Sequence, residues 1–236
     1  STQCAPCPQG YFCNTTAIVK VVNKCTAGYY CPGGDITPTL PCLRGTRCPT
    51  GSAQPDPCPA GQYQNRTGQS ACVTCPSRYY CTRGSVNPVI CPAGSYCPTG
   101  TNSSISYLCS IGTFSNTTGL SSQGQCTSCT AGYYCATAGL TKPTSKCTRG
   151  YYCNRGAKTP TPDSYSKTSY GTYAGETCVN RTKASSNDVC PPGHYCPIGS
   201  ASPVGCPLGT YSNSSKLFNS TQCAPCPQGY FCNTTA

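Results

Sequence analysis

Nine times in this chain a cysteine is followed six positions later by another: Cys7 and Cys13, Cys25 and Cys31, Cys42 and Cys48, Cys75 and Cys81, Cys91 and Cys97, Cys129 and Cys135, Cys147 and Cys153, Cys190 and Cys196, Cys226 and Cys232. In all but one of these stretches a glycine stands three residues after the first cysteine, Arg78 being the exception. Glycine there admits a positive-φ turn that a side chain resists. In all but one, a Tyr or Phe precedes the second cysteine, Arg47 being the exception. A ring laid across a disulfide gives a small module a core. Such a core is needed, because Leu, Ile, Val and Phe together make up about a tenth of the 236 residues, too little for an ordinary apolar interior. The 26 cysteines supply the alternative. Each disulfide restricts the unfolded chain by about 2–4 kcal/mol, so roughly a dozen can stand in for a missing core. The expected fold is a set of small disulfide-rich, all-β or irregular modules in an elongated tandem-repeat ladder, with short β-ribbons and almost no helix.

So many cysteines also specify an oxidising compartment, because thiols stay reduced in the cytosol. Eight N-x-Ser/Thr sequons agree with a secreted or cell-surface protein: Asn14, Asn65, Asn102, Asn116, Asn180, Asn213, Asn219 and Asn233. The chain has no Met, no signal peptide and no apolar run near twenty residues, so it reads as an interior or mature segment whose targeting signals lie elsewhere. Net charge is +11, but the cations are scattered singly, as on a solvated surface. A sulfated or uronic polysaccharide is the expected acidic partner; nucleic acid is not expected outside the cell.

The two ends carry a second message. Residues 1–17 and 220–236 are the same seventeen residues, STQCAPCPQGYFCNTTA. Either a 219-residue unit recurs in tandem, or the overlap arises from how the segment was cut. Within one period, Cys58, Cys109 and Cys206 each open a stretch that has a sequon seven residues on and ends in Cys-x2-Cys. The chain therefore divides into residues 1–57, the end of a module begun earlier; 58–108; 109–205; and 206–236, the start of the next repeat. Residues 154–189 form an insert in the third of these, rich in Thr, Ser, Pro and Tyr at its start. It reads as an extended or looped surface segment, with Thr159 and Thr161 as O-glycosylation candidates, or as a bare disordered loop. Ile18-Val-Lys-Val-Val22 is the one β-branched run and is expected to form a short strand.

The frame Cys-Pro-x-Gly-x-Tyr, a spacer with Asn-x-Thr/Ser, and Cys-x2-Cys-Pro-x-Gly-Tyr-Phe/Tyr-Cys resembles the ephrin-receptor-like cysteine-rich repeats, relatives of the tumour-necrosis-factor-receptor modules. Long arrays of such repeats are typical of algal and protist surface glycoproteins, among them those of flagellar hairs (mastigonemes). The resemblance covers nearly the whole chain apart from the insert. It implies pairing of the opening cysteine with the first of Cys-x2-Cys and cross-pairing of the later loops: Cys58–Cys72, Cys109–Cys126 and Cys206–Cys223, with Cys75–Cys91 and Cys81–Cys97. One period holds 23 cysteines, an odd number. Cys178, in the insert, belongs to no loop or frame. Either it is free or bonds between repeats or chains, or it pairs locally with Cys190 and leaves another thiol free.

Catalysis needs poised acids, bases or nucleophiles. The acids are Asp35, Asp56, Asp163, Glu176 and Asp188, with no recognisable pair, and the sole histidine, His194, sits at a variable loop position. No enzyme is expected, and no cofactor or metal beyond covalent N-glycans. The Cys-x2-Cys pairs could bind zinc only as closed sets of four ligands. The composition and repeats point to the structural unit of an extracellular glycoprotein filament, its partners being further copies of itself or an axial chain. The alternative is a receptor, adhesin or surface-antigen ectodomain that binds a protein or glycan through exposed Tyr and basic residues.

Overall fold

A computed structural model describes residues 5–16, 21, 23–162, 165–173, 176–183 and 188–232, the stretches 165–173, 176–183 and residue 188 as backbone. It divides into two compact units, Ser1–Leu108 with Thr117–Gln125, and Cys109–Asn116 with Cys126–Ala236. Both are built from one kind of piece. Each piece, here called a rung, begins at a cysteine, turns at the third residue after it and forms a two-residue strand. In most rungs it then turns again and pairs that strand, antiparallel, with a two-residue strand just before the next rung, as in Tyr79–Tyr80 with Val89–Ile90; rungs 1 and 6 keep only the single bridges Tyr11 with Lys24 and Ser95 with Leu108, and rung 12 has no paired strand among the described residues. Rungs 1 to 12 start at Cys7, Cys25, Cys42, Cys58, Cys75, Cys91, Cys109, Cys129, Cys147, Cys190, Cys206 and Cys226, so the repeat is finer than the modules read from the sequence. Among the described residues the only helical turns are the 3-10 segments Gln123–Gln125 and Ser220–Gln222.

The register of successive rungs is set by backbone hydrogen bonds. From rung 4 to rung 5, Gly61 N–H donates to the Cys81 carbonyl (2.7 Å), Cys75 N–H to Gly61 (2.8 Å), Gln64 N–H to Ser85 (3.0 Å) and Gly84 N–H to Cys58 (2.8 Å). The same four bonds join rung 9 to rung 10: Gly150 N–H to Cys196, Cys190 N–H to Gly150, Cys153 N–H to Ser200 and Gly199 N–H to Cys147, all 2.8–2.9 Å. A register set by main-chain groups tolerates any side chain that leaves the turns intact. This is how rungs of dissimilar sequence stack alike.

Each rung holds one disulfide. All nine Cys-x5-Cys loops close on themselves, with Cα atoms 5.8–6.0 Å apart. This corrects two pairings implied by the family resemblance. Cys75 bonds Cys81 and Cys91 bonds Cys97, instead of Cys75–Cys91 and Cys81–Cys97. The reason is local. A positive-φ turn in the middle of a seven-residue loop brings its own ends within bridging range, and closing so short a loop costs little entropy. Three rungs differ, carrying Gln64, Ser115 or Ser212 where the others have the second cysteine, and they close further along as Cys58–Cys72, Cys109–Cys126 and Cys206–Cys223. Cys190 is bonded to Cys196, which removes the local pairing with Cys178.

The bridges are the core. Apart from Leu120, Tyr152, Ala157 and Leu217, every buried apolar residue described is a cysteine. The rings do not lie over their own disulfides alone. Tyr134 of rung 8 packs on Cys147 and Cys153 of rung 9, Tyr152 of rung 9 on Cys190 and Cys196 of rung 10, and Tyr195 of rung 10 on Cys206 and Cys223 of rung 11. Each ring thus binds its rung to the next.

The insert is not a bare loop. It contains an antiparallel hairpin, Tyr165–Tyr173 with Glu176–Lys183, whose register shifts between Ser169 and Thr172. Cys4 and the side chain of Cys178 lie outside what is described, as does the run Ile18–Val22 apart from Val21.

Candidate functional site

The surface of the rungs, rather than a pocket, carries the groups singled out in the sequence. Asn14, Asn65, Asn116 and Asn213 occupy one equivalent place, seven residues into rungs 1, 4, 7 and 11, just before the second turn. They are exposed, as are Asn102 and Asn219. Where contacts to these side chains are defined, the oxygen takes them. Asn14 Oδ1 accepts from Asn23 Nδ2 (3.0 Å), Asn102 Oδ1 from Ser106 Oγ (2.7 Å), and Asn219 Oδ1 from the Thr221 amide (3.1 Å), where it caps Ser220–Gln222. A glycan is attached through the amide nitrogen. Asn180 lies in the hairpin strand Glu176–Lys183, and Asn233 lies outside the described residues. Thr159 and Thr161 are exposed on either side of Pro160, whose carbonyl accepts from the Thr148 amide (2.9 Å).

Several cations that read as scattered surface charge have structural partners. Arg47, which replaces the aromatic of rung 3, donates through Nε to Asp56 Oδ2 (3.0 Å) across its own ribbon. The Arg149 guanidinium stands 4.6 Å from the centre of the Phe218 ring, and Lys216 Nζ 5.4 Å from that of Tyr151. Such cation–π contacts are worth about 0.5–1 kcal/mol at exposed sites. Arg78 is the most informative. It keeps the positive φ of the glycine it replaces, +75°, and its Nε donates to the carbonyl of Gly119 two rungs on (2.8 Å). Spacing along the chain could not have shown this, because the two residues are 41 apart.

The remaining candidates for chemistry stand apart. His194 Nδ1 is 3.1 Å from the Pro192 carbonyl in its own turn. Asp35 Oδ2 accepts from the Gly33 amide (3.1 Å), also locally. Asp163 and the side chains of Glu176 and Asp188 lie outside what is described. Among the described residues no three His, Cys, Asp or Glu side chains gather as metal ligands. In the described Cys-x2-Cys pairs at 72/75, 126/129 and 223/226, every sulfur is committed to a bridge. No described helix is long and apolar enough to cross a membrane, and bridges at this density belong to a secreted or extracellular protein.

The repeated ends form an internal comparison. Tyr11 and Phe12, in rung 1, are half-buried, and rung 2 follows them with its four backbone bonds. Tyr230 and Phe231, the same residues in rung 12, are 77% and 83% exposed. No protein-family model matches this chain, and no curated protein sequence is significantly similar to it.

Proposed function

We propose that this chain is a repeating structural segment of an extracellular glycoprotein filament, such as a flagellar hair, sheath or surface fibre, of the ephrin-receptor-like repeat type. One observation carries the reading: a rung presents to its successor the backbone groups that its predecessor presents to it. An interface of this kind does not close on itself. It propagates, as in solenoids and other open head-to-tail assemblies. The seventeen-residue identity supplies the means, because in a tandem array the residues after Ala236 would be a copy of those after Ala17 and would cover Tyr230 and Phe231 as rung 2 covers Tyr11 and Phe12. Disulfides stiffen each rung, and exposed sequons provide a hydrated coat that opposes lateral aggregation. The rigidity is mechanical in purpose, and no step of chemistry is assigned to the chain.

Negative-stain imaging of native material bearing this sequence tests the proposal. Long filaments with an axial repeat that scales with the 219-residue unit are expected. Separate flexible monomers would replace the filament with an ectodomain that binds a ligand.

A further inference from the structure

We propose that the hairpin inserted between rungs 9 and 10 binds an anionic polysaccharide along one of its faces. The ladder does not require this hairpin. Rungs 9 and 10 make all four of their backbone bonds, and their ribbon pairs Tyr151 with Val189 and Tyr152 with Asp188, leaving the insert as an addition at one turn.

The register sorts its residues. Tyr165 is paired with Lys183, Lys167 with Arg181 and Ser169 with Val179, while the alternate pairs are Ser166 with Thr182 and Thr168 with Asn180. Successive residues of a strand belong to opposite faces, and directly paired residues share one. One face therefore takes Tyr165, Lys167, Arg181 and Lys183, with Ser169 and Val179 at its end; the other takes Ser166, Thr168, Thr182 and the sequon residue Asn180.

The cationic face is unfavourable by itself. Lys167 is directly opposite Arg181, and like charges so placed destabilise a ribbon. Glu176, the one acid of the two strands, is paired with Tyr173 beyond the register shift and does not belong to this run of pairs. A bound anion would offset the repulsion. The cations form a grid about 5 Å wide between strands and about 7 Å long between alternate residues. Such a grid suits a polymer with repeated charges better than a single small anion. The same set of register positions includes an aromatic residue, Tyr165, a residue type on which sugar rings stack. A glycan on Asn180 belongs to the opposite face and leaves this one open. An extracellular setting, to which the bridges point, favours polysaccharide over nucleic acid as the polyanion. This inference does not depend on filament assembly.

The test measures binding of the whole 236-residue chain, disulfides intact, to immobilised heparin (sulfated), alginate (uronic acid only), neutral dextran and phosphatidylserine vesicles. Retention on heparin or alginate but not dextran is expected, and whichever is retained at higher salt identifies the charged group. Lys167→Ala, Arg181→Ala and Lys183→Ala together should weaken that binding at least about tenfold, about 1.4 kcal/mol. Removing the same charge from exposed ladder positions, as Arg44→Ala, Arg83→Ala and Lys142→Ala, should change it less than about twofold, within about 0.4 kcal/mol. Lys167→Arg with Lys183→Arg keeps the charge and should keep the affinity, which separates loss of the site from loss of the hairpin. Equal weakening by the ladder variant, failure of the arginine variant to bind, tighter binding to vesicles than to either polysaccharide, or no retention by the parent chain would each overturn the proposal.

Discussion

Gly61 and Gly68 both adopt positive φ, +86° and +68°, yet they answer different demands. A Cβ at Gly61 would lie 2.5 Å from the carbonyl oxygen of Gly100, two rungs on, whereas one at Gly68 would meet nothing within 4 Å. Gly68→Ala should therefore cost only the left-handed conformation, about 1–2 kcal/mol. Gly61→Ala adds a backbone collision and should cost at least about 1 kcal/mol more. Denaturant unfolding of the oxidised chains compares the two, and equal losses would mean that the close approach does not hold. Arg78 shows how a side chain can occupy the same kind of place, by donating to the carbonyl two rungs on. Arg78→Gly removes the hydrogen bond but also the backbone strain, so it should stay within about 1 kcal/mol of the parent. Arg78→Ala keeps the strain and loses the bond, and should be less stable by about 1–2 kcal/mol.

At the scale of one rung and its neighbour, burial decides which cross-strand contacts matter. Tyr152 is buried against the disulfide of the following rung, so Tyr152→Ala should cost about 3 kcal/mol or more. The Arg47–Asp56 pair spans a ribbon in the open, its side chains 40% and 50% exposed. Asp56→Ala should accordingly cost less than about 1 kcal/mol, and that cost should shrink as salt is added. Thermal melts at low and high ionic strength check both. A small, salt-insensitive loss for Tyr152→Ala would show that the ring does not join rungs 9 and 10. The element scale is also where reading from sequence reached its limit. The regular Cys-x5-Cys spacing, the turn glycine and the aromatic before the second cysteine were all visible, and so was the expectation of ribbons. That the ring of one rung serves the disulfide of the next was not, because it depends on how rungs stack.

Across the whole molecule, the two copies of STQCAPCPQGYFCNTTA provide a direct measurement. In a chain carrying two full periods, the Tyr-Phe pair at the internal junction should become as protected as Tyr11 and Phe12, while Tyr230 and Phe231 of the 236-residue chain stay reactive. Hydroxyl-radical footprinting reads this out. Unchanged reactivity at the junction would mean that the rung stacking stops there and that the tandem array has no continuous ladder. With cysteines supplying nearly all of the buried apolar residues described, full reduction should abolish the ordered structure under the same conditions.

The amino-acid sequence by itself determined the kind of molecule: too few apolar residues for an ordinary core, enough cysteines to replace it, and turns at fixed distances from them. These are properties of composition and local spacing, which need no neighbour to express them. The tertiary structure decided what spacing leaves open, namely that Cys75 and Cys91 each close their own loop, that Arg78 reaches Gly119, and that Lys167 is paired in register with Arg181 in the hairpin. Disulfide pairing follows the distance between Cα atoms, and long-range contacts follow the stacking of rungs. The first is set by the turn inside one folded rung, and the second exists only once the backbone of one rung has bonded to the next.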